Sequence, residues 1–230
     1  MILASHQPDF APYPGFWYKL FRSDVFVLSD DVAYSNSEMH KYNYIRSGDA
    51  RMRIGMPVQA HADGTPLWEV RLSKDDRLIF KAVKTFDQTY KNAPFFNQYG
   101  WEFRNILLSA VCTPEERLYE INAAIFYWML EGFGWQKKVV RASDLRPQGR
   151  RDDRIIDICE KLGCTTYLSG WGAANYHKPE LYDQHGIKLI YTDYKTLEYE
   201  QFQGGFVKDC SMIDYIMNHG FKTPDEWRWF

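Results

Sequence analysis

The polar residues that could do chemistry in this chain recur at one kind of place, directly after a short apolar run. ILAS leads to His6 and Gln7, and VFVLS to Asp30 and Asp31. KKVV leads to Arg141, Ser143 and Asp144, TYL to Ser169, Gly170, Trp171 and Gly172, and KLIY to Thr192, Asp193 and Tyr194. Short apolar runs bounded by turn residues read as buried strands. In an open parallel sheet, ligands bind beyond the carboxyl ends of the strands. Five polar clusters therefore converge on one edge. His6 titrates near neutrality, so it can donate to an anion or move a proton; as a lone histidine it also reads as a polar plug at a strand end. Pro8, Pro12 and Pro14 stiffen the loop that follows, and Gly15 opens a helix whose first N–H groups favour an anion. Asp30 and Asp31 point to opposite sides if their strand continues, so one of them faces the site. The plain alternative is a cap or turn residue. Gly170 and Gly172 let a ligand approach the backbone closely. Their loop is neither a Walker A sequence nor GxGxxG, so a nucleotide fingerprint is missing.

The elements that must position these clusters alternate at both ends of the chain. Ile2–Ser5 reads as a strand, Gly15–Phe21 as a helix and Asp24–Asp31 as a strand, a βαβ unit with a right-handed crossover. YNYIR and RMRIGMPV flank SGDA as a hairpin turning at Gly48, and LWEVRL (Leu67–Leu72) reads as a third extended piece. The middle is helical: Asp75–Tyr90, Phe96–Leu108 and Pro114–Leu130, the last with Thr113 and Pro114 as cap and first-turn proline. Alternation resumes with KKVVRAS, a helix over Asp152–Leu162, TTYLSG, a helix over Ala174–Gln184, IKLIYTDY and a closing helix over Ser211–Asn218. The expected fold is α/β and Rossmann-like: a mainly parallel sheet with helices on both faces, plus a β-hairpin and a helical insertion. The expected organisation is a single α/β domain over residues 1–230, with 74–131 as an insertion or cap.

Composition narrows the function classes. Apolar residues make up 45% and charged residues 25%, as in ordinary globular proteins, but aromatic content is high at 17%, with 8 Trp and 16 Tyr. Aromatic rings fill cores and also line sites for sugars and bases. No run approaches the roughly 18 apolar residues of a membrane span, and no signal peptide is read at the start. A cytoplasmic protein is expected, in the host cytoplasm if the source is viral, with no membrane partner. The cysteines Cys112, Cys159, Cys164 and Cys210 form no CxxC pair and read as reduced core thiols. No Cys/His set has metal-ligand spacing, so no metal and no cofactor are expected. Net charge is −2, yet Lys137–Arg154 holds seven basic residues against three acids, and Lys41–Arg53 four against one. Such islands suit a local anionic partner, a phosphate or a short length of nucleic acid; the alternative is pairing with Asp144, Asp152 and Asp153.

A set of ordered motifs carries a family resemblance. HQPDFAPYPGFWYKL, SDVFVLSDDVAYS, YNYI, GMPV, YLSGWGAANY, GIKLIYTDY, YEQ and SMIDYIMNHG together resemble the WbqC-like family, whose members read HQPNxxPWxGYFxK, DxFVxxDxVQF, NRNxI, PV, YLSGxGxxxY, GI, YxQ and SxIDxLxNxG. The match runs in order over nearly the whole chain. It marks His6, Gln7, Pro8, Gly15, Lys19, Asp30, Asn43, Ser169, Gly170, Tyr176, Gln201 and Asp214. Lys41-Tyr42 stands where the family has Asn-Arg, and Val32-Ala33-Tyr34 where it has VQF, so the acceptor or substrate is open to change. The resemblance implies transfer onto an activated sugar in surface-polysaccharide synthesis. Similar phage proteins look like amino acid:DNA transferases, which displace pyrophosphate from pyrophosphorylated hydroxymethyl-uracil with the amine of an amino acid such as glycine.

Three readings follow. In the first, an amine attacks a carbon bearing a phosphate or diphosphate, with DNA as acceptor and a small amino acid as donor. Its catalytic set is His6, Asp30 and Asn43. Gln7, Lys19, Arg46, Arg154, Ser169, Gly170, Tyr176 and Gln201 hold substrate or phosphate, and Asp30 is the candidate base. In the second, the acceptor is a nucleotide-linked sugar. In the third, the protein binds sugar or nucleic acid through its aromatics without turnover. Oligomeric state is not legible.

Overall fold

Ile2–His6 (β1) is the central strand of a five-stranded parallel sheet ordered β5-β2-β1-β6-β7. Its neighbours are Val25–Leu28 (β2) and Thr166–Ser169 (β6), with Lys138–Arg141 (β5) and Lys188–Tyr191 (β7) outside them. The computed structural model describes residues 1–112 and 117–227. The register places Leu3 against Val25 and Tyr167, and Ser5 against Val27. Alternation along β1 sends Leu3 and Ser5 to one face and Ala4 and His6 to the other. On the first face Leu3, Val25, Val27 and Tyr167 pack with Ile156 and Cys159 of Asp152–Leu162 (α6) and Tyr182 of Pro179–Gln184 (α7). On the second, Phe16 of Pro14–Phe21 (α1) meets Phe26 edge-on at 5.2 Å. Both faces are covered, which is why the strands read as unbroken apolar runs. The expected α/β architecture with a parallel sheet and a separate hairpin is the one observed.

The chain divides into two compact units. The first comprises Met1–Gln7, Gly15–Asp31 and Gln136–Lys195 and holds the sheet. The second comprises Pro8–Pro14, Val32–Trp135 and Thr196–Phe230, so the helices of 74–131 share it with the hairpin and the C-terminal segment. In the second unit Tyr42–Ser47 (β3) and Ala50–Gly55 (β4) pair antiparallel, turning at Gly48 with φ +61°. Asp76–Tyr90 (α2), Trp101–Cys112 (α3), Leu118–Gly132 (α4) and Met212–His219 (α8) complete it, with a π-helical turn at Phe96–Gly100 before α3. The short helix Ala142–Leu145 (α5) belongs to the first unit and follows β5 directly.

Three details differ from expectation. LWEVRL forms a 3-10 turn at Leu67–Glu69 and, among the described residues, only isolated bridges from Arg71 to Arg117 and from Leu72 to Val58, with Pro66 leading into the turn. Helix α7 begins at Pro179 rather than Ala174, since a proline holds the preceding residue, Lys178, in an extended conformation (φ −111°) and itself starts a helix well. Cys112 is exposed, whereas Cys159, Cys164 and Cys210 are buried thiols. The expected cap at Thr113 and Pro114 lies outside the described residues. Among the described residues no helix is long and apolar enough to cross a membrane.

Candidate active site

From β1 the chain goes to β2 on one side, and the next strand on the other side is β6. That reversal is a topological switch point, and the region beyond the carboxyl ends of β1 and β6 is the usual ligand site of such sheets. Ala4 pairs with Leu168, so Ser5 and His6 leave β1 beside Ser169 and Gly170. His6 is half-buried, lies 4.9 Å edge-on to Phe16, and its Nδ1 is 3.0 Å from the Gln7 carbonyl oxygen. Lys19 of α1 is buried and donates to the Ser5 carbonyl at 2.7 Å, which brings an ammonium to the end of β1. Ser5 Oγ and the Tyr167 hydroxyl, 3.0 Å apart, tie the two strands together. Burial pushes the Tyr167 phenol up to about 12, so it stays neutral.

At the end of β2 the two aspartates part company. Asp30 is wholly buried. Its Oδ2 accepts from Arg141 Nε (3.0 Å), Arg141 Nη2 (2.8 Å) and the Ser143 hydroxyl (2.8 Å), and its Oδ1 from the Ser143 amide (2.9 Å). A carboxylate with both oxygens so engaged is built to position Arg141 and the start of α5. This arrangement favours that role over the base anticipated from sequence. Asp31 pairs with Arg154 of α6. Part of the basic island thus neutralises Asp30 and Asp31, not the nearer Asp144, Asp152 and Asp153. Lys137 donates to the carbonyls of Phe21 and Ser23, while Arg146, Arg150 and Arg151 remain on the surface.

At the end of β6 the structure joins three residues that sequence reasoning left apart. Ser169 Oγ lies 2.9 Å from His177 Nε2, and His177 Nδ1 lies 2.6 Å from Asp152 Oδ1. Asp152 opens α6, and His177 sits in the loop between β6 and α7. Asp152 also accepts from the Lys178 amide (2.9 Å) and the Tyr182 hydroxyl (3.0 Å). Burial pushes the Asp152 carboxyl up, but the hydrogen bonds from His177, Lys178 and Tyr182 together outweigh it and hold it below the usual range. An ionised Asp152 can only accept, so Nδ1 of His177 carries a proton; in the neutral imidazole Nε2 is then the acceptor for the Ser169 hydroxyl, whose other acceptor is the Gly170 carbonyl at 3.4 Å. Gly170 follows Ser169 in the loop, Trp171 stacks on Tyr191 at 5.4 Å, and Tyr176 is 75% exposed.

The remaining expected site residues lie in the second unit and have local work there. Asn43 donates to the Phe10 carbonyl (3.2 Å) and accepts from the Tyr44 amide (2.8 Å). Asn122 donates to the carbonyls of Pro8 and His40, and the Met212 amide to that of Pro12. These groups satisfy the backbone of the proline-rich segment 8–14. Arg46 is buried and clamps a loop: it donates to the carbonyls of Gly48, Gly204 and Gly205 and to Gln201 Oε1. Gln201 in turn donates to Asp214, which Tyr90 and Tyr199 also cap. Neither Arg46 nor Gln201 presents its polar groups to solvent. A separate cavity of about 320 Å³ in this unit is lined by Lys41, Tyr42, Arg53 and Lys81, with Leu78 and Thr85 of α2. Arg53 lies over the Tyr42 ring at 4.5 Å.

A family model described as the WbqC-like protein family matches residues 7–226. The chain belongs to the WbqC-like family. It is also 23% identical over 226 residues to an uncharacterized protein, Rv1507c, of Mycobacterium tuberculosis (strain ATCC 25618 / H37Rv), covering 97% of this chain and 96% of that one. No solved structure matches it significantly. Membership of the WbqC-like family is compatible with a biosynthetic enzyme in a broad sense.

Of the site residues expected from sequence, the first unit brings His6, Gln7, Lys19, Asp30, Ser169, Gly170 and Tyr176 to the carboxyl end of the sheet, with Arg154 on α6. Asn43, Arg46 and Gln201 belong to the second unit. Asp152 and His177 were missed. A signal was present: a serine at a strand end, a histidine in the loop after it, and an aspartate opening a helix of the same sheet.

Proposed function

We propose that this WbqC-like chain is a transferase in which the amine of a small amino acid displaces phosphate or diphosphate from an activated acceptor. The observation that carries the reading is the switch point of a parallel sheet whose two flanking strands end in His6 and Ser169. In such a reaction the amine nitrogen bonds to the acceptor carbon, the carbon–oxygen bond breaks, and pyrophosphate departs. The amine must lose a proton and the departing oxygens need positive charge. His6 moves the proton. Lys19 and Arg141 supply charge, and Asp30 keeps Arg141 in place. The acceptor proposed is pyrophosphorylated hydroxymethyl-uracil in DNA, with glycine as amine.

The test is mass spectrometry of nucleosides after incubating the protein with pyrophosphorylated DNA and amino acids. A 5-(carboxymethylaminomethyl)uracil nucleoside, joined through the glycine nitrogen, and released pyrophosphate are expected. His6→Ala should abolish transfer while the thermal melt stays that of the parent. Transfer to a nucleotide-linked sugar alone would move the acceptor to carbohydrate, and near-parental turnover in His6→Ala would remove His6 from the mechanism.

A further inference from the structure

The Ser169–His177–Asp152 chain has an orientation that a mere loop tether does not need. Asp152 fixes the tautomer of His177, and this turns the Nε2 lone pair toward the Ser169 hydroxyl. A serine that donates to an imidazole held by a buried carboxylate is the constellation that activates a hydroxyl for attack, and it is recognised by geometry and roles rather than by chain order. Its place fits too. Ser169 closes a parallel strand at the switch point, where an electrophile would arrive. Ser169 is itself only 2% exposed, and the open side lies next to it in the chain: a side-chain carbon built on Gly170 or Gly172 would meet nothing within 4 Å.

We propose that Ser169 is an activated nucleophile that accepts the acyl group of small carboxylic esters. Ser169 Oγ bonds to the carbonyl carbon and its proton passes to His177 Nε2. The bond to the alcohol oxygen breaks, and His177 returns the proton to that oxygen. Water, deprotonated by the same nitrogen, then cleaves the acyl-serine to release the acid and restore the hydroxyl. This activity is separate from the amine transfer above, and neither stands or falls with the other.

The experiment uses the full chain with diisopropyl fluorophosphate, a serine-directed probe from which fluoride departs, and with p-nitrophenyl acetate. The expected result is one adduct, located by peptide mass on Ser169. It should be lost in Ser169→Ala and formed at least about 100-fold more slowly in His177→Gln, the scale of a lost general base. Ester hydrolysis should fall in parallel. Because His177→Gln also disturbs the loop, Gly170→Val is the second variant. Gly170 has an ordinary φ of −77°, so this variant should fold and slow labelling by crowding the open side. The proposal is overturned if the folded protein gives no adduct on Ser169, or if His177→Gln labels at the parental rate. In either case the three residues serve only to pin the loop to α6.

Discussion

Asp30→Asn separates a positioning aspartate from a reacting one. The carboxylate is fully buried and accepts four hydrogen bonds at 2.8–3.0 Å, two from the Arg141 guanidinium and two from Ser143. Asparagine keeps one acceptor and puts an NH2 where the other oxygen was, facing either the guanidinium or the Ser143 amide. Breaking a buried pair costs about 3–5 kcal/mol. The Arg141 side chain is 35% exposed, so water recovers part of its solvation and screens part of the pair, which brings the expectation to about 3 kcal/mol. For a chain of this size that is a fall in Tm of about 6–12 °C, read by circular dichroism and checked by urea titration. A cycle with Arg141→Met should show strong coupling, since each single change strands the other member of the pair and the double change leaves neither stranded. An Asp30→Asn protein that melts within about 2 °C of the parent but transfers nothing would refute the positioning argument and restore Asp30 as the base.

Asn43→Ala should destabilise by about 1–3 kcal/mol without touching the sheet, because it strands the Phe10 carbonyl and the Tyr44 amide in a buried setting; urea midpoints measure it. His40 gives the pH dependence a defined sign. Burial pulls its pKa down to about 4, and its Nδ1 accepts from the Ser35 amide, so a proton there would face an N–H. The stability it contributes is therefore complete above about pH 6.5 and is lost as pH falls toward 4. Urea unfolding at steps between pH 7.5 and 4 should show this loss, and His40→Gln, which keeps an acceptor, should flatten it.

The sheet was legible because both of its faces are covered, so that its strands, from the buried VFVL to the edge strand KLIY, are short apolar runs. Ile2–Ser5, VFVL and KLIY read as strands whichever side they face, and each ends in a polar cluster. LWEVRL is also rich in apolar residues, but among the described residues it makes only isolated bridges, and pairing is a tertiary property that propensity does not carry. The site was legible only by position. Asp30 looked like a base because nothing in its own segment announces Arg141 or Ser143, more than a hundred residues on. Arg46 looked like a phosphate ligand because its carbonyl partners at Gly204 and Gly205 leave no trace in composition. His177 was hidden by a helix extended too far: placed on a helix from Ala174, it had no reason to turn toward β6, whereas Pro179 sets it in a loop.

The pairing of β1 with β6 has a consequence for how the protein is made. Strand β1 leaves the ribosome before β2 and meets it once Val25–Leu28 has followed, but Ile2 has to wait for Thr166. Until most of the chain is synthesised, one edge of the central strand is unsatisfied, and the switch point that carries His6 and Ser169 does not exist. Such long-range parallel pairing is slow and leaves sticky edges exposed on the way. Nascent chains stopped before β6 should depend on chaperones, and the switch point should be among the last features of the fold to form.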